Sequence, residues 1–215
     1  MKAMLDVLVL ASTLAAVAPC ATPRRTIASG VAALHGEVVE AESFTPGELR
    51  EVAGRSGAPL THPPFGFYAA RLAHDVRIRT EERRGPEGAR CGTLTTATAR
   101  LALVDRVVGL ARGLREHGCD RDAVARHYRE HALADDRVLS RHVQALNAAL
   151  TAAWPRLHDA LPASGPPDEA ALRRVVEPIV AEAAAGIERD REAALAGVDT
   201  PAEMLALAAA CTARS

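Results

Sequence analysis

Residues Cys119–His142 read CDRDAVARHYREHALADDRVLSRH, and the reading of the whole chain turns on them. Asp120 is a strong helix N-cap, because its carboxylate can accept from the free N–H groups of a first turn. From there to about Leu150 the residues are helix formers, rich in Ala, Arg and Leu, with no Pro or Gly before Pro155. At about 100° per residue, Val124, Leu139, Leu146 and Leu150 share one apolar stripe. His127, Tyr128, His131, Asp135 and His142 fall on or beside that stripe. A polar group aimed inward costs about 1–3 kcal/mol if it is left unpaired, so the pattern predicts partners for these side chains.

His127 and His131 stand one helical turn apart, so their imidazoles project from the same face. This is the spacing by which HExxH helices hold zinc through two nitrogens. Here the pentad reads HYREH, and Tyr128 stands where a Glu would take a proton from metal-activated water. A phenol ionises at about pH 10 and serves poorly as that base near neutrality. The inverted pattern HxxEH offers Glu130 instead, but Glu130 points away from the apolar stripe. Asp135 continues the series, yet ligands at i, i+4 and i+8 would span about 12 Å of helix, too far for one ion. Asp135 is therefore expected as an outer partner of His131, and His142 is also too distant to share the ion. Taken alone, the pair also fits structural or surface histidines, since eight His in 215 residues give an HxxxH by chance in roughly one such chain in four.

The composition is that of a folded domain, 48% hydrophobic and 25% charged with net charge −1. That balance, with 3% aromatic residues, excludes a dedicated nucleic-acid binder with a basic face and stacking platforms. Residues 1–23 fit an export signal: Lys2, an apolar run from Val7 to Ala18, and small residues at Ala16 and Ala18. Asp6 and Pro19 depart from that pattern. No other segment is apolar and long enough to span a membrane, so no stable span is expected after processing. Ala28 to Val39 reads as a short strand or helix. Thr45 to Val52 opens like a helix, with Glu48 completing a capping box. His35 and His62 read as exposed loop residues. Ala73 to Arg79 alternates as a strand running into a charged hairpin at Gly85–Gly88. Cys91 onward is ambiguous: TLTTAT is β-prone and alternates, whereas ATARLALVDRVVGLARGL could form an amphipathic helix, and the threonines and Val-Val pairs favour two strands with a bend at Asp105-Arg106. After Trp154-Pro155 comes a Pro/Gly-rich linker. A helix then starts near Asp168, with Leu172, Val175, Val176, Ile179, Val180, Ala183 and Ile187 on its apolar face, Pro178 inside it, and a largely solvated Arg/Glu face. Asp199-Thr200-Pro201 caps a last helix to Cys211. Four cysteines suit an exported chain. Of the possible pairings, Cys91 with Cys119 is favoured, stapling the β region to the start of the site helix for about 3 kcal/mol.

With these residues in place, the chain resembles a bacterial family of secreted zinc-dependent proteases of the HExxH, zincin-like type. Cys91, Gly118-Cys119, His127, His131 and Asp135 take the family's places, and Asp199-Thr200-Pro201-Ala202-Glu203, running on to Ala210-Cys211, matches its tail. The similarity covers roughly residues 65 to 211. It implies an α+β fold, with a small antiparallel β region on a long zincin-like metal-site helix, then a helical C-terminal extension. The division expected is a signal peptide at 1–23, the α+β domain at 24–155, and a linker with the helical extension packing on it at 156–215. The resemblance implies zinc on His127 and His131, a peptide or protein substrate, and a periplasmic or secreted location. Tyr128 departs from the family by removing its general base, so hydrolysis is expected to be weak or lost; loss of such a group costs about 10²–10⁴-fold. The competing expectation is a non-enzymatic, disulfide-stapled envelope protein in which the histidines are merely hydrogen-bonded. The sequence names no third ligand.

Overall fold

The structure, a computed structural model, describes residues 28–55, 65–85 and 88–212. The expected signal segment, Cys20 and His62 lie outside the described residues. Among the described residues, four strands form one sheet: β1 (Ala28–His35), β2 (Val39–Phe44), β3 (Gly66–Arg84) and β4 (Arg90–Ala111). Five helices accompany them in the described residues: α1 (Pro46–Arg55), α2 (Arg121–Ala152), α3 (Trp154–Asp159), α4 (Glu169–Val198) and α5 (Pro201–Thr212).

β4 is the spine of the sheet. Along one edge it pairs antiparallel with β3, from Leu110 opposite Gly66 to Arg90 opposite Arg84. Along the other it pairs parallel with β1 and then with β2, which follow one another in tandem. The fold is thus mixed α and β as expected, but the sheet is not simply antiparallel. Only β3 reaches β4 through a hairpin, which forces antiparallel pairing. β1 and β2 are not joined to β4 by a tight turn and are free to run alongside it. Between them the chain steps around Gly36, whose N–H bonds Leu103 O at 2.9 Å. A Cβ there would lie 2.7 Å from that same oxygen, so the step requires glycine.

The expected bend at Asp105-Arg106 is instead a bulge inside one continuous strand. Ala69 pairs with Val107 and Arg71 with Val104, so Asp105 and Arg106 together oppose Ala70. Asp105 takes φ 53°, and Arg106 is thereby turned inward, where it is buried.

α2 and α4 cover one face of the sheet. Leu94, Leu101 and Leu103 of β4 meet Val138, Leu139, Leu146 and Leu150 of α2 and Leu172, Val176, Val180 and Ile187 of α4 in one core. Each such side chain contributes about 1.5–3 kcal/mol when fully buried. Asp120 caps α2 by accepting from the N–H groups of Asp122 and Ala123, and Asp168 caps α4 by accepting from Ala171. Thr45 and Glu48 form the expected capping box of α1. α5 then folds back, and the N–H of Asp120 bonds Ala210 O at 2.8 Å. Cys119 is disulfide-bonded to Cys211, not to Cys91 as expected, and Cys91 is disulfide-bonded as well. The reason is the return of α5, which brings position 211 against the start of α2. No single helix among the described residues is long and apolar enough to cross a membrane.

Candidate metal centre

His127 and His131 project from α2 towards the junction of α4 and α5, and both are buried. At that junction Asp199 closes α4, and Thr200 caps α5 by accepting from the N–H of Glu203 at 3.2 Å. Because Thr200 does the capping, the Asp199 carboxylate is left for another task. Its Oδ1 lies 3.1 Å from His127 Nε2 and 2.9 Å from His131 Nε2, and the two Nε2 atoms are 3.4 Å apart. Partial burial alone would raise the Asp199 carboxyl, but its hydrogen bonds to His127 and His131 outweigh this and hold it far below the usual carboxylate range.

These three residues could hold a metal ion. Two imidazole nitrogens and a carboxylate oxygen are a common zinc donor set. Ligand atoms about 2.0–2.1 Å from a tetrahedral zinc stand about 3.3–3.4 Å from one another. The observed separations of 2.9, 3.1 and 3.4 Å are close to that triangle. Asp199 is the donor that sequence reading missed. The signal was present: Asp199-Thr200-Pro201 holds two residues able to cap, and a helix start needs only one.

The ring of His131 lies nearly parallel to two tyrosine rings, with centroids 5.8 Å from Tyr128 and 6.5 Å from Tyr68. Tyr128 turns towards the sheet and packs on Gly66, where a Cβ would meet its ring at 2.6 Å. Burial and the nearby Asp199 charge raise its phenol still further, against the opposing hydrogen bond at Gly66. It is a packing residue and no base. Glu130, by contrast, is exposed and lines a groove of 640 Å³ between α2 and α5, together with His127, Arg126, Thr200 and Glu203.

Asp135 is not the expected partner of His131. It is fully buried and accepts two hydrogen bonds from Arg191 of α4, both at 2.9 Å, and one from Tyr68 at 3.0 Å. The i, i+4 spacing puts it on the histidine face, but helical rotation carries it under α4, where Arg191 takes it. Arg191, expected in the solvated face of α4, is itself buried. Burial pushes the Tyr68 phenol up to about 12. His142 pairs with Asp190 at 2.8 Å and His35 with Asp136 at 2.6 Å, both away from the candidate centre. Cys91 and Cys119 do not bond to each other and take no part in it.

Comparison of the chain with protein-family models, with curated proteins and with solved structures returns no match.

Proposed function

We propose that this is an exported zinc-binding protein of metallopeptidase type, which holds the ion through His127, His131 and Asp199 and hydrolyses peptides weakly or not at all. The observation that carries the reading is the convergence of three donor atoms, from two distant parts of the chain, on one point. The Cys119–Cys211 disulfide is consistent with an oxidising compartment. A bound zinc would polarise a water or carbonyl oxygen at its open position. Of the chain's own groups, Tyr128 cannot take a proton from such a water, whereas Glu130 stands on the groove beside His127. Whatever hydrolysis remains is assigned to Glu130.

The test is metal analysis of full-length protein purified without chelator. The expected result is one zinc per chain, lost in His127→Ala and in Asp199→Ala. A parent without stoichiometric zinc, or variants that keep it, would reject the reading. Glu130→Gln should abolish residual peptide hydrolysis and leave zinc content unchanged.

One observation favours a second reading, a non-enzymatic envelope protein. Asp199 already bonds both imidazoles and can lock the α4–α5 junction onto α2 without an ion. In that case a chelator leaves the melting temperature unchanged.

A further inference from the structure

α2 and α4 pack antiparallel, and their cross-contacts run in step. His142 meets Asp190, Asp135 meets Arg191, and His131 and His127 meet Asp199. From Arg191 to Asp199 is about 12 Å along α4, and from Asp135 back to His127 is about 12 Å along α2. The ion pair and the candidate metal centre are therefore two rungs of one register.

Elsewhere the interface is apolar, with Val138, Leu139 and Leu146 of α2 in one core cluster with Val176, Val180 and Ile187 of α4. Apolar ridges repeat every turn, and a slip of one turn, about 5.4 Å, keeps much of their burial. Such a slip would carry Asp199 out of reach of both imidazoles. A buried ion pair adds little net stability over an apolar pair of similar volume, but it penalises any register that separates its charges. Arg191 also donates to Glu188 at 2.7 Å and to Ala70 O of β3 at 3.2 Å, so its guanidinium ties α4 to the sheet. Tyr68 donates to Asp135 while its ring lies on His131. One buried cluster thus ties α4 to α2 and to the sheet and touches an imidazole of the centre.

Resting on the proposed zinc site, we infer that Asp135 and Arg191 are positioning residues, whose buried ion pair sets the α2–α4 register that delivers Asp199 to His127 and His131. Neither residue touches the ion. Both act through the ligands.

The test is the double variant Asp135→Leu with Arg191→Met, in the full chain. It replaces the ion pair by apolar groups without leaving one charge buried alone. Its melting temperature should stay close to the parent's. In metal-free protein, nuclear Overhauser contacts between the His131 ring and Asp199 should be present in the parent and lost in the variant. Its zinc affinity should fall about 10–100-fold, the usual cost of disturbing residues that orient metal ligands. Retention of those contacts with unchanged zinc affinity would overturn the inference. A parent that binds no zinc would reject the metal reading alone, and the metal-free contacts would still decide the register. If the double variant does not fold, Arg191→Lys carries the test. It keeps the buried charge and loses the two-pronged geometry, and it should weaken both the contacts and zinc affinity. Parent-like behaviour in that variant would overturn the inference.

Discussion

In the pentad HYREH, Tyr128 occupies the place of a catalytic Glu, and restoring that Glu looks like a route to activity. The folded chain directs position 128 at Gly66 and the sheet, while the groove beside His127 receives Glu130. Tyr128→Glu is therefore expected to give no gain of peptide hydrolysis and to lower stability by about 1–3 kcal/mol, through lost packing and a carboxylate placed in a part-buried site. A denaturation midpoint and a peptide-cleavage assay check both parts. A second residue-scale prediction concerns acid. Burial works to raise the Glu40 carboxyl, but hydrogen bonds from Arg129 and Arg121 more than offset it, so the folded value lies below the ordinary 4.5. A depressed carboxyl contributes stability that is present above its unfolded value and lost as pH falls through the folded one. The melting temperature of Glu40→Gln should thus fall below the parent's above about pH 4.5, and the gap should close in more acid solution.

At the scale of elements, local chemistry was legible wherever the deciding residues were neighbours in sequence. Asp120, Asp168 and the Thr45–Glu48 box mark helix starts, and the alternation around Arg77 with Gly85–Gly88 marks the hairpin. Long-range choices were not legible. Whether β1 lies parallel to β4, whether Cys119 meets Cys91 or Cys211, and whether Arg191 faces water or Asp135 all depend on where distant segments return. The bulge at Asp105 lies between these cases: its irregularity is visible in sequence, but strand pairing decides whether it bends the chain or turns Arg106 inward. The Cys119–Cys211 disulfide closes 92 residues of chain, and in the chain-entropy account it contributes about 4.5 kcal/mol. It also holds α5, whose first turn follows Asp199. If the proposed zinc site holds, Cys211→Ala should lower both the melting temperature and zinc affinity, because α5 no longer anchors the segment that carries Asp199, the third candidate ligand. Calorimetry and zinc titration of the variant measure the two effects.

For the whole molecule, the candidate centre is a product of chain return. The site helix supplies two donors that the sequence shows plainly. The third arrives 68 residues after His131, through the linker, α4 and the register set against α2. Two of the three donors were readable because HxxxH is local. The third was hidden because Asp199 looked like a helix cap and its partners are settled only by packing. The most direct test is X-ray absorption spectroscopy of the zinc-loaded protein and of Asp199→Asn. The expected result is two imidazole nitrogens at about 2.0–2.1 Å and a carboxylate oxygen at about 2.0–2.2 Å in the parent, with the oxygen contribution altered and the imidazoles kept in the variant. A zinc shell without the two imidazoles, or one identical in parent and variant, would contradict it.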